Sequence, residues 1–351
     1  MLPAGQNPWP EETQPLQFDR CFIFDRLPGY SSAHGSTIAE RGNGELISAW
    51  FGGADQKGGN GVILYARKPA AADQWQDVRA VAGMNDPRAY GNAALFAHTD
   101  ADGAEHIELF YTRIERPQGN FEGRARGHDS YSYGVHSLDG GWTWSQEQSL
   151  RDQRSFLIKN KPLLLPGGEL AIGAYSDLER RTWLGRRSLD GGPWRYGEAI
   201  AVPPGCSGAI QPAVAAWPDG EVQMYLRTGD RRIWRSRSWD GGRTWSEAAP
   251  TDLPNPDTGI DTQTLADGRL LLVHNPTESA RTPLALRVSE DRGRTWDPPI
   301  ILADGQGEYS YPAIIQGRDG RVHITYSHLR QRIECVTLDV GSRGKWRGHG
   351  V

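Results

Sequence analysis

Arginine outnumbers lysine in this chain by 34 to five. A guanidinium is a planar fork of donors that matches the two oxygens of a carboxylate. Two or three of them aimed into one pocket would hold an acidic ligand. A Gly-rich stretch at 52–61 carries a single carboxylate, Asp55. Such a loop suits a lid that closes over a ligand and brings an acid or base with it. Its ordinary reading is a surface hairpin loop with a solvated aspartate. Tyr309 and Tyr311 stand together in Tyr309-Ser-Tyr-Pro312. A phenol with a pKa of about 10 is a weak nucleophile at neutral pH until something activates it. His128, His136, His274, His323 and His328 have no metal-binding spacing. Cys21, Cys206 and Cys335 are odd in number and widely separated, and read as free thiols in a reducing compartment. With no phosphate loop and no Ser-His-Asp order, neither a metal nor another cofactor is expected.

Something must hold such residues in one place, and the chain is a repeat. Four segments share a pattern: Ser137-Leu-Asp-Gly-Gly-Trp-Thr-Trp144, Ser188-Leu-Asp-Gly-Gly-Pro-Trp194, Ser238-Trp-Asp-Gly-Gly-Arg-Thr-Trp245 and Ser289-Glu-Asp-Arg-Gly-Arg-Thr-Trp296. Asp139, Asp190, Asp240 and Asp291 follow one another at intervals of 51, 50 and 51 residues. Asp and Ser can bond turn amides, Gly can take a left-handed backbone, and Trp can cover the hairpin. Four such copies read as turn staples rather than as a ligand site. A second pattern runs out of phase, a turn followed by a short apolar run: Asn43-Gly44, Asp102-Gly103, Gly167-Gly168, Asp219-Gly220, Asp267-Gly268 and Asp319-Gly320. These are hairpin signals. A period of about 50 residues holding about four strands is one blade of a β-propeller. The sequence therefore predicts an all-β, six-bladed propeller over 21–345 after an irregular arm at 1–20. The strand that closes the ring is expected at 21–25, paired near 333–338.

Composition agrees with a folded, aromatic-rich protein, for hydrophobic residues make up 37% and Trp numbers 13 among 351 residues. A net charge of −4 gives no general attraction to nucleic acid or to an anionic membrane. No apolar run approaches the length of a membrane span. The first residues show neither a basic segment nor an apolar leader, so a cytoplasmic location is expected.

The Ser-x-Asp-x-Gly-x-Thr-Trp elements resemble the Asp-box (BNR) repeats of sialidases. Ala33-His-Gly-Ser-Thr-Ile-Ala-Glu40, Ala49-Trp-Phe-Gly-Gly53, Tyr309-Ser-Tyr-Pro-Ala-Ile-Ile-Gln316, and Arg227 followed by Arg281, are similar to the predicted neuraminidase branch of the sialidase-like superfamily. That resemblance covers about residues 20–340 and implies a six-bladed propeller with its active site at the central cavity. It implies that Arg227 and Arg281 are two of three arginines holding a substrate carboxylate. The position of the first arginine, counted back from Gly44, is occupied by His34, with Arg26 nearby as a substitute. The resemblance makes Tyr309, or its neighbour Tyr311, the nucleophile. One of the two is expected to face the cavity. The activating glutamate is replaced by Gln211, whose amide cannot accept a proton, and Glu308 lies beside the tyrosines. Asp55 takes the place of the general acid. Gln211, Asn160, Lys161, Asn275 and Arg332 complete the candidate binding set, and Asn92, Tyr175 and Asp261 are further polar residues at matching places around the repeats.

Three functions follow. The first is an exo-acting, sialidase-like glycoside hydrolase releasing a terminal acidic sugar: a sialic, other ulosonic or uronic acid. The second is a lyase on a uronate glycan that uses His34 and a tyrosine. The third is a carbohydrate-binding propeller without catalysis. In each the partner is an acidic glycan. His34 in place of an arginine also implies a pH signature, acidic ligands binding more tightly as pH falls through about 6.5.

Overall fold

The computed structural model describes residues 18–53, 61–100, 102–115 and 129–341. Among them no residue is helical. The six turn glycines Gly44, Gly103, Gly168, Gly220, Gly268 and Gly320 all have φ between 80° and 91°, a region open to glycine without steric cost. At several of these turns the preceding side chain locks the geometry. Asn43, Asp267 and Asp319 each accept a bond of 3.0 Å from the N–H two residues on.

Strand pairing divides into six antiparallel units, here called blades one to six. Their inner strands are Ser32–Glu40, Ala89–Thr99, the split pair Phe156–Ile158 and Leu163–Leu164, Ala209–Ala216, Asp261–Thr264 and Tyr309–Gln316. Blades two and three are joined by one parallel bridge, Phe156 with Tyr131. Contacts run from each blade to the next and from blade six back to blade one, so the ring is closed and the fold is a β-propeller. A sizeable apolar cluster fills each gap between neighbours. Middle strands are therefore covered on both faces. Val222–Thr228 and Leu270–His274 are buried at every position, which is why they read as continuous apolar runs rather than alternating ones.

The ring closes three residues earlier than the sequence suggests. Phe18–Phe22, not 21–25, pairs with the last strand of blade six, from Phe18 opposite Leu338 to Phe22 opposite Glu334. An edge strand needs only one covered face, so Phe18-Asp-Arg20 serves although it looks polar. Phe24 leaves the sheet and stacks on Trp50 at 5.2 Å.

Three of the four Asp-boxes form. In the second of them the Ser238 hydroxyl donates to Asp240 at 2.7 Å and accepts from Gly242 N–H at 2.8 Å. Asp240 in turn accepts from the amides of Arg243 and Thr244 and from the Thr244 hydroxyl. Asp139 and Asp291 repeat this arrangement. Each box is pressed against the preceding blade. A Cβ on Gly293 would stand 2.1 Å from the Tyr225 hydroxyl, and one on Gly141 would stand 2.5 Å from that of Tyr65. The Asp190 segment is different. Gly191–Tyr196 runs on as a strand, with Ser188 opposite Gly191. Pro193 has no N–H to give the carboxylate, so the box cannot close.

Asp240→Ala is accordingly expected to lower the melting midpoint by about 2–4 °C, the shift for roughly 1 kcal/mol in a large domain. Asp190→Ala should leave it within error. Equal shifts by calorimetry would contradict the assignment of one as a staple and the other as a plain turn residue.

Candidate functional site

Four inner strands slip register near their starts, between His34 and Thr37, Gly91 and Ala94, Ile210 and Ala213, and Ser310 and Ala313. Inside the slips Gly35, Asn92, Gln211 and Tyr311 are left-handed, with φ of 65°, 42°, 47° and 53°. A bulge re-aims a side chain. A left-handed glutamine or tyrosine is strained and persists only where its surroundings hold it.

The bulge decides between the two tyrosines. In a regular strand residues two apart share a face. Here Tyr309 packs into the apolar gap between blades five and six, its ring edge-on to His328 at 5.1 Å. Tyr311 instead enters the centre of the ring. Its hydroxyl accepts a bond of 2.9 Å from Arg227. The guanidinium carbons of Arg227 and Arg281 and the Lys159 ammonium stand 5.9, 5.7 and 5.8 Å from the ring centroid. The His34 ring packs against it, with centroids 4.3 Å apart.

Each cation is fixed by its own neighbours. Arg227, next to last in the second strand of blade four, donates to Asp257 at 2.7 Å and to Gln211 at 2.8 Å. Gln211 reaches Tyr175 at 3.5 Å, and Asn92 donates to the same hydroxyl at 2.8 Å. Arg281 donates to Glu308 at 2.9 Å, and its carbonyl accepts from Tyr309 N–H. Asn275 ties that loop down from below, donating to the carbonyls of Pro283 and Tyr309. Lys159 crosses the channel from blade three to the Pro312 carbonyl at 2.7 Å. Lys161 crosses to Asp261 at 2.9 Å, Asn160 donates to the Pro212 carbonyl, and Asp261 also accepts from Ile314 N–H. Asn160, Lys161, Asp261 and Asn275 therefore build the floor and walls.

A third arginine is present besides Arg227 and Arg281, and it is neither Arg26 nor the binding candidate Arg332. Arg332 lies over the Phe22 ring at 3.5 Å, away from the pocket. Arg330 approaches Glu308 at 3.6 Å. Leu329 and Arg330 are both left-handed, with φ of 54° and 56°, and Gln331 N–H closes the turn on the His328 carbonyl. This turn, within the three-residue connection between His328 and Arg332, lacks the glycine that would announce it. Arg26 is exposed on the loop before blade one. Asp55 lies outside the described residues. Glu308 is part of the site. Besides Arg281 and Arg330 it faces Ser310, which donates to it at 2.5 Å, and His34 at 4.0 Å.

Electrostatics sets the protonation states. Burial would raise the Tyr311 phenol, but Arg227 and Arg281 outweigh it and bring it below the ordinary tyrosine value. Burial, then Arg330, Arg281, Lys159 and Arg227, hold His34 well below the usual histidine range. The imidazole is therefore neutral, contrary to the expected gain of charge near pH 6.5. Both of its nitrogens are buried without a hydrogen-bond partner. Burial lowers Lys159 to about 8. Glu308 stays below the ordinary glutamate value, because Ser310, Arg281 and Arg330 together overcome its burial. The pocket thus combines three arginines with a phenol whose pKa is lowered and an imidazole that stays neutral.

A model of the BNR repeat-like domain family matches residues 44–324. The chain is 27% identical over 177 residues to the anhydrosialidase of Macrobdella decora, covering 45% of this chain and 23% of that protein. It is 23% identical over 366 aligned positions to a sialidase of Micromonospora viridifaciens, covering 91% and 53%. It therefore spans about half or less of the length of these relatives. The NanB sialidase of Streptococcus pneumoniae (a K499G mutant) superposes with a TM-score of 0.75 at 13% identity, over 93% of this chain and 71% of that one.

Removing a cation from beside Tyr311 should return its phenol toward the ordinary value of about 10. Arg281→Met is thus expected to move one tyrosinate transition to higher pH in an ultraviolet titration, and Tyr311→Phe to abolish that transition. The His34 ring signals should not titrate between pH 5 and 8 in NMR. Acidic-ligand affinity should then show no rise through pH 6.5.

Proposed function

This chain belongs to the BNR repeat-like domain family, and on that premise we propose that its central pocket is the active site of a sialidase-like glycoside hydrolase. The substrate is a glycoside of a terminal acidic sugar, a sialic, other ulosonic or uronic acid. The observation that carries this reading is the Arg227–Tyr311 contact, with Arg281 beside the same ring. A tyrosine nucleophile ordinarily needs a carboxylate to take its proton. Gln211 does not provide one. Two guanidinium groups make the phenolate accessible instead, so the nucleophile is activated by charge rather than by a base.

In this reading Arg281, Arg330 and Arg227 bind the sugar carboxylate, and each charge-assisted contact contributes about 1.5–3 kcal/mol. Glu308, which already bridges Arg281 and Arg330, yields one or both to the ligand. The Tyr311 oxygen attacks the anomeric carbon, the bond to the leaving oxygen breaks, and an acid protonates that oxygen. Asp55 is our candidate for the acid. Water then releases the sugar from Tyr311. The role assigned by resemblance to Tyr309 passes to Tyr311.

A second reading has its own support. A neutral His34 with both nitrogens free, its ring centroid 4.3 Å from that of Tyr311, resembles the base and acid of a β-elimination. A lyase would produce an unsaturated, ultraviolet-absorbing sugar, and a hydrolase would not.

Tyr311→Phe is expected to cut kcat on an aryl glycoside of an acidic sugar by roughly a thousandfold or more while ligand binding survives. Tyr309→Phe should retain most of the activity. A fluorinated acidic-sugar substrate should trap a covalent adduct, found by mass spectrometry on the peptide holding Tyr311. Turnover without an adduct but with ultraviolet absorbance would select the lyase. Binding with no turnover of any acidic glycoside would select a non-catalytic propeller.

A further inference from the structure

Cys21 and Cys335 stand directly opposite each other where Phe18–Phe22 pairs with Arg332–Leu338. Opposed residues on neighbouring strands share a face. Both thiols accordingly meet the apolar cluster between blades six and one. The register also sets their spacing. Ile23 N–H donates to the Ile333 carbonyl at 2.9 Å. Antiparallel pairs alternate between bonded and non-bonded, so two steps along, Cys21 and Cys335 form a hydrogen-bonded pair. Such pairs hold their Cα atoms about 5.5 Å apart, within the range of about 4.4–6.8 Å that a disulfide spans.

We propose that Cys21 and Cys335 are a disulfide site, a covalent latch between the N-terminal closing strand and the C-terminal strand of blade six. The two thiols are unequal in a way that suits stepwise oxidation. Cys21 is half-buried on the edge strand, whereas Cys335 is 2% exposed. A hydrogen bond from Cys335 lowers the Cys21 thiol to about 6 against the effect of burial, with help from Lys68 and Trp75. The same contact, with burial, pushes Cys335 up. Cys21 is therefore the attacking thiolate and Cys335 the resolving thiol.

The oxidant is the disulfide of a small thiol, such as oxidised glutathione. Cys21 thiolate attacks one of its sulfurs, forming a mixed disulfide and releasing one glutathione thiolate. The Cys335 sulfur then attacks Cys21 Sγ, its proton passing to solvent, and the second glutathione leaves. Two protein thiols are oxidised, one glutathione disulfide is reduced, and the sulfurs balance. Cys206 takes no part. It sits in the loop before blade four, and burial pushes its thiol up to about 11.

The test is oxidation of the full chain with oxidised glutathione, followed by thiol counting, peptide mass mapping without reductant and calorimetry. Two of the three thiols should disappear, and one cross-linked peptide pair should contain Cys21 and Cys335. The melting midpoint should rise by about 5 °C or more, because the closed loop is very long, and dithiothreitol should reverse the rise. Cys206→Ser should behave like the parent, while Cys21→Ser and Cys335→Ser should show no rise. Glutathione that stays on Cys21 with Cys335 unreacted would overturn the proposal. So would a cross-link through Cys206, or a Cys21–Cys335 bond that leaves the midpoint unchanged.

Discussion

One backbone hydrogen bond, made at five of the six joints, fastens a blade to the next. A residue at or just before the start of a blade's third strand gives its carbonyl to an N–H at or just before the start of the following inner strand. The pairs are Gly61 with Tyr90, Ser130 with Ser155, Arg180 with Ala209, Arg281 with Tyr309 and Arg330 with Ala33, at 2.7–3.0 Å. At about 1 kcal/mol each, these bonds are small beside the burial of the six apolar gaps. Their effect is on position. The last two carry the arginines that meet Glu308, so the bond that fixes the blade also fixes the cation. Asn275 reinforces one of these two loops, and the glycine-free turn at Leu329 and Arg330 shapes the other.

That rigidity is what allows so many like charges to gather. Arg227, Arg281, Arg330 and Lys159 all bear on His34, with Asp257, Glu308 and Asp261 as the carboxylates in contact with the cations or their neighbours. A flexible scaffold would relax by moving the cations apart. Here they are held by strands and inter-blade bonds, and the excess charge appears as shifted proton affinities on the groups between them. Tyr311 gives up its proton more readily and His34 declines one. Gln211, standing where the resemblance implies an activating glutamate, fits the same account. Its amide donates toward Tyr175 and accepts from Arg227, keeping the guanidinium in line with the phenol.

Much of this was legible in the sequence because it depends on local chemistry. Turn glycines with positive φ and a period near 50 residues suffice to predict the blades. Arg227 and Arg281 follow from the resemblance, and His34 and Gln211 from spacings that it implies back from the turn glycines; the structure brings all four to the centre of the ring. What escaped depends on breaks in regularity. The bulge at Tyr311 re-aims one of two neighbouring tyrosines, and no composition signal marks it. Arg330 carries no sequence signal, because its turn uses Leu and Arg where Asn-Gly would be recognisable. The Asp190 segment has the letters of a box, but a proline replaces a required donor. Lys159 passed unnoticed because its partner, the Pro312 carbonyl, lies across the channel and belongs to no motif.

The two lysines of blade three have a further consequence for traffic through the ring. Lys159 and Lys161 span the channel as bars, anchored on Pro312 in blade six and on Asp261 in blade five. Beyond them, at the other mouth, lies a separate cavity of about 1380 Å³ lined from all six blades, with Lys161 in its wall. These two cross-channel bonds lie between the Tyr311 side of the ring and that cavity, so the bore along the axis is interrupted rather than continuous.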